Sequence, residues 1–136
     1  MKRYLVLLVS LIVLLSGCNL EKAFILFSSD PITVDTFSLD KRKVSFLTEQ
    51  RIYFVLYNPK PFTSSVLRLQ ILKLDRKTPY YEMSIVQGRD IEIDASKDYA
   101  TDYFCLHQEG YYILRLFSKD KLEKPIAEAY FEVTSP

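Results

Sequence analysis

Residues 65–74, SVLRLQILKL, place Leu67, Leu69 and Ile71 at every second position with Arg68 and Gln70 between them. A period of two belongs to an extended strand with one buried and one wet face. The same period returns along most of the chain. In RIYFVLYN (51–58), Ile52, Phe54 and Leu56 share one face and Tyr53, Val55 and Tyr57 the other. Both faces are apolar, which predicts a central strand. In YYILRLF (111–117), Tyr112, Leu114 and Leu116 fall on one side. In PIAEAYFEV (125–133), Ala127, Ala129, Phe131 and Val133 are predicted to face inward, with Glu128, Tyr130 and Glu132 outward. Further strands are expected over 32–39, 44–47 and 99–107, and over 80–87 and 90–95 with Gly88 separating the last two. Ala23–Phe27 reads as a first edge strand, the alternative being contact with a bilayer or a partner.

Short charged or proline-bearing turns separate these runs, among them DKRK (40–43), NPKPF (58–62) and SKDKLEK (118–124). No stretch of ten residues has a convincing helical periodicity. Ten Tyr and nine Phe against three Gly are what strands favour. The expectation is an all-β fold, an antiparallel sandwich or barrel of seven to nine strands. A sandwich suits the length, because two sheets bury their alternating side chains about 10 Å apart. The segment EGYYILRLFSKDKLEKPIAEAYFEV resembles the last two strands of immunoglobulin-like sandwich domains. Within it, Gly110-x-Tyr112 resembles the start of a tyrosine corner, in which a Tyr hydroxyl fastens the strand to nearby backbone. The resemblance implies an immunoglobulin-like sandwich without the antibody-type disulfide and without Trp.

The first seventeen residues differ in kind. MKRY is short and basic, and LVLLVSLIVLL follows with only Ser10 interrupting it. At about 1.5 Å per residue this run is too short to cross about 30 Å of hydrocarbon comfortably. It reads as an export signal; the alternative is an anchor helix over residues 4–17. Leu15-Ser16-Gly17-Cys18 closes the run and resembles the lipobox of bacterial lipoproteins. That resemblance covers residues 1–18. It implies cleavage before Cys18 and acyl chains on its thiol and new amine, two or three chains giving a stable anchor. Asn19 departs from the Asp that commonly retains lipoproteins in the inner membrane, which favours the outer membrane. The expected organisation is a signal peptide at 1–17, a lipidated tether and edge strand at 18–30, and the sandwich at 31–136.

The formal net charge is +1, and without Lys2 and Arg3 it becomes −1. The remaining basic residues alternate with acids, so nucleic acid is not expected as a partner. Cys105 lies within an apolar strand pattern and is expected to be a buried small hydrophobe. His107 is the sole His, which excludes a His-rich metal centre. Asp90, Glu92 and Asp94 share one strand face but lack the ordered spacing of a calcium loop. No phosphate-binding glycine loop, nucleophile elbow or zinc-protease motif occurs. The chain is therefore read as non-enzymatic, with no metal or cofactor.

Its interaction residues are expected among surplus aromatics and the most distinctive loop: Tyr80, Tyr81 and Tyr130, and Pro59, Lys60, Pro61 and Phe62. Phe62 either caps the sandwich or anchors a partner. The favoured reading is a lipid-anchored envelope module, held in the membrane by N-terminal acyl chains, that binds another envelope protein. The alternative is a receptor or carrier for a small molecule, peptide or glycan.

Overall fold

The computed structural model of the protein describes residues 22–33, 43–75 and 82–136. Among them are eight strands: β1 (Phe24–Ser28), β2 (Ser45–Leu47), β3 (Arg51–Tyr57), β4 (Val66–Asp75), β5 (Glu82–Glu92), β6 (Tyr99–Cys105), β7 (Gly110–Ser118) and β8 (Ala127–Thr134). They form two sheets, a three-stranded β1-β3-β6 and a five-stranded β2-β8-β7-β4-β5. The fold is all-β and broadly immunoglobulin-like.

Alternation decides which face each strand buries. Ile52, Phe54 and Leu56 of β3 are fully buried against Leu67, Leu69 and Ile71 of β4 and Leu114 and Leu116 of β7 in one core. β3 is central in its sheet, as its two apolar faces predict. On β8 only the inward set Phe131 and Val133 is buried, while Glu128 and Tyr130 are exposed. Phe131 is the meeting point of the core aromatics. Its ring centroid lies 5.0 Å from Phe27, 5.4 Å from Phe104, 5.5 Å from Tyr112 and 6.4 Å from Phe46. Those four residues come from β1, β6, β7 and β2, so a single side chain of β8 binds both sheets together.

The tyrosine corner is present. Tyr112 is buried, and its hydroxyl donates to the Gln108 carbonyl at 2.6 Å. Burial raises the pKa of that phenol. Gly110 opens β7 at φ +155°, which L side chains rarely adopt, and a Cβ there would meet Lys73 Cε at 2.8 Å.

Four expectations change. The large sheet is mixed, because β2 runs parallel to β8, with Ser45, Phe46 and Leu47 opposite Glu132, Val133 and Thr134. Alternation specifies a buried face but not a neighbour or a direction. Here the chain crosses between sheets just before β2: Lys43 N–H bonds the Phe27 carbonyl of β1, and the Val44 carbonyl accepts from Glu132 N–H of β8. Second, Gly88 does not divide two strands. β5 runs continuously from Glu82 to Glu92, and nothing lies within 4 Å of where a Gly88 Cβ would stand. Third, Ile32 and Thr33 are not in a strand; the rest of the 32–39 expectation, like Cys18, Tyr80 and Tyr81, lies outside the described residues. Fourth, Cys105 is half-buried rather than buried. Phe104 and Leu106 take the inward positions on either side of it.

Two substitutions test this core by denaturant titration. Phe131→Ala should cost about 3–5 kcal/mol, in the range for a large aromatic removed from a packed site. Tyr112→Phe keeps the ring and loses the corner hydrogen bond, and should cost about 1–2 kcal/mol.

Candidate interaction surfaces

In the loop after β3, Asn58 is buried, its N–H donating to the Asp98 carbonyl at 2.7 Å and its Oδ1 accepting from Lys60 N–H at 3.3 Å. Pro59 is half-buried, and Lys60 and Pro61 are exposed. Phe62 is buried in the core cluster. It therefore closes the end of the sandwich, and the aromatic of this loop is not presented to a partner. Tyr130 is presented: its side chain is 61% exposed.

Tyr130 belongs to a larger feature that the residue-by-residue reading missed. Strand register aligns Ile85 of β5 with Leu72 of β4, Leu72 with Ile113 of β7, and Ile113 with Tyr130 of β8. All four point away from the inter-sheet core. The central pair is well covered, Leu72 at 6% and Ile113 at 2% exposure, while Ile85 at one end is 62% exposed. The adjacent row adds Met83, Leu74 and Tyr111, with Met83 and Tyr111 exposed. The apolar row exists because of a bulge. Ile71 opposes Gln87 but Leu72 opposes Ile85, so Val86 is the extra residue. The bulge keeps Gln87 facing inward while Ile85 joins Leu72 outside. The legible signal was the lost alternation at Ile71-Leu72 in β4.

The rest of this outer face is charged. Arg115 Nε meets Glu128 Oε2 at 3.0 Å. Asp90 is clamped by Arg68 Nε at 2.5 Å and Lys119 Nζ at 3.1 Å. Hydrogen bonding to Arg68, then to Lys119, holds its carboxyl below the usual carboxylate range. Asp94 is turned to Ser96, whose hydroxyl donates at 2.6 Å. Asp90, Glu92 and Asp94 are all exposed but do not converge on a common point, and no metal-competent cluster occurs among the described residues. His107 lies beyond the end of β6 and pairs with Glu49 at 2.7 Å. It is thus committed elsewhere and does not sit over Cys105.

The outer face of the small sheet is a second apolar surface. Phe24 packs on Tyr57 at 5.2 Å, Tyr53 on Tyr103 at 5.6 Å, and the Arg51 guanidinium lies 5.0 Å above the Tyr103 ring. Phe24, Ile32, Val55, Tyr57, Tyr99 and Thr101 border a shallow hollow of about 290 Å³.

The open side between β5 and β6 is sealed by side chains. Gln87 Nε2 donates to the Cys105 carbonyl at 2.9 Å, and Arg89 reaches the Tyr103 carbonyl at 2.6 Å and Asp102 at 3.1 Å. These contacts occupy backbone acceptors that an added strand would otherwise use. The edge of β6 is blunted, and recognition by sheet faces is favoured over strand addition there.

No family model matches the chain, and no curated protein matches it. Among solved structures, the soluble domain of PmoD from Methylocystis sp. aligns at 17% identity and a TM-score of 0.51, covering 85% of this chain and 94% of that one. An immunoglobulin-like protein from Pseudomonas aeruginosa aligns at 10% identity and a TM-score of 0.46, covering 83% and 90% respectively. The likeness to the PmoD domain extends over nearly the whole of both chains and concerns the fold alone. Among the described residues no helix is long and apolar enough to cross a membrane.

Two outcomes follow for the large-sheet face. Ile85→Ser and Tyr130→Ser remove exposed apolar surface and should change stability by no more than about 0.5 kcal/mol, read as denaturation midpoints. Asp90→Asn tests the clamp. A depressed carboxylate contributes above its unfolded pKa of about 3.9 and loses that contribution as pH falls through the folded value. The variant should therefore be less stable than the parent at neutral pH, and the two curves should converge as pH falls through the folded value.

Proposed function

We propose that this protein is a non-enzymatic, lipid-anchored module of the bacterial envelope that binds another envelope protein through the outer face of its large sheet. The observation that carries this is the Ile85–Leu72–Ile113–Tyr130 row. The middle of the row, Leu72 and Ile113, is already covered, whereas its ends, Ile85 and Tyr130, and the neighbouring Met83 and Tyr111 stay exposed and are surplus to folding. Exposed apolar patches rimmed by charge mark contact sites for other proteins. The Arg115–Glu128 and Arg68–Asp90 pairs supply such a rim. Tyr130 brings a large ring with a polar tip at low entropic cost, as residues central to interfaces do.

The anchor is the second part of the proposal. Cys18, at the end of the lipobox-like segment, would carry the acyl chains, with Asn19 favouring the outer membrane. Tethering beside the partner raises effective concentration, so a modest surface suffices for a stable complex. The hollow between Phe24, Tyr57 and Tyr99 supports a second reading, a carrier for a small apolar ligand. Its volume stands at the lower limit for ligand pockets, about 300 Å³, so the protein-binding reading is preferred.

Affinity capture from solubilised envelope tests the proposal. The parent chain should retain one reproducible protein partner, and Ile85→Glu with Tyr130→Ala should lose it while the fold persists by circular dichroism. Retention by the double variant would exclude this face. Independently, the mature chain should begin at an acylated Cys18 by intact mass, and Cys18→Ser should leave the membrane fraction. A chain still beginning at Met1 would exclude the anchor.

A further inference from the structure

One end of the sandwich gathers the start of β1 with the loops after β3, β5 and β7. Between them is a cleft of about 460 Å³ whose lining includes Lys22, Lys60, Lys121 and Lys124. No carboxylate lines it among the described residues. Asp120, next to Lys121, has its Oδ1 engaged by the Thr63 hydroxyl at 3.0 Å and by the Ser118 hydroxyl. Hydrogen bonding to Ser118 first, and also to Thr63, holds its carboxyl below the usual range. Of the other acids at this end, Asp94 is bound to Ser96, and Asp98 and Glu123 lie in the same loops. Four lysines thus line a cleft beside which the Asp120 and Asp94 carboxylates are turned to hydroxyls.

The length of chain before the sandwich says what this end meets. Cys18 precedes Lys22 by four residues, at most about 14 Å of fully extended chain. An acylated Cys18 therefore holds the cleft close to the headgroup layer. Lysine charges act there within a screening length of about 8 Å, and each near an anionic surface improves binding about fivefold. We propose that the lysine cleft seats the domain on an anionic membrane, its ammonium groups engaging the phosphates of lipid headgroups. This rests on the acylated-Cys18 reading. The docked domain stands with its strands rising from the membrane and the Ile85–Tyr130 face turned sideways, toward neighbours in the same bilayer.

Amine-reactive labelling of the acylated full chain on vesicles provides the test. One set is phosphatidylcholine alone, and the other includes phosphatidylglycerol. Labelling of Lys22, Lys60, Lys121 and Lys124 should fall severalfold on the anionic set at low salt and recover at high salt. Lys73, at the opposite end beside the start of β7, should label equally on both. Equal labelling of the four cleft lysines on both vesicle types overturns the docking, although the chain floats. Protection by inorganic phosphate alone, without vesicles, assigns the cleft to a soluble anion and also overturns it. Failure of the chain to float on neutral vesicles overturns the anchor instead, and the docking with it.

Discussion

The contact on which the rest of the structure depends is that of Phe131 with the rings around it. Phe27, Phe46, Phe104 and Tyr112 approach it from four other strands. Two of those strands belong to the small sheet and two are its companions in the large one. Each ring pair adds about 0.5–1.5 kcal/mol beyond the area it buries. The larger consequence is geometric, since register in a sheet is fixed wherever one face is buried. With Phe131 pinned inward, Tyr130 must point out. Its partner Ile113, then Leu72 and Ile85, must follow it across the sheet.

Both open sides of the sandwich are closed without a strand pair between the sheets. On one side Gln87 and Arg89 of β5 satisfy carbonyls of β6. On the other, residues 43 and 44 bond first to β1 and then to β8. Unpaired edges are the usual route to unwanted association, and closing them shifts recognition to the faces. The protein consequently presents exposed apolar residues on the outer faces of both sheets, Ile85, Met83 and Tyr130 on the large one and Phe24 and Tyr103 on the small one.

Much of the fold was legible because alternation is a direct imprint of burial. The inward sets of β3, β4, β7 and β8 fell where the sequence placed them, and so did the tyrosine corner at Tyr112. Direction and neighbour were not legible. A three-residue strand such as Ser45–Leu47 has the same pattern whether it runs parallel or antiparallel to β8. Gly88 read as a break because glycine weakens strands, yet at an exposed edge position it costs β5 little. Phe62 read as a cap with a partner anchor as the alternative, and its burial favours the cap. The outer row escaped notice because its members are scattered over four segments. Strand order and the Val86 bulge, both non-local, bring them into line.

The central claim is that the outer face of the large sheet, not that of the small one, meets a protein partner. Site-specific photo-crosslinking in the intact envelope tests it most directly. A photoreactive residue at position 130 should give one discrete protein adduct, and the same residue at position 101, on the small sheet, should give none. A protein adduct from position 101 alone, or only lipid adducts from position 130, would contradict the account.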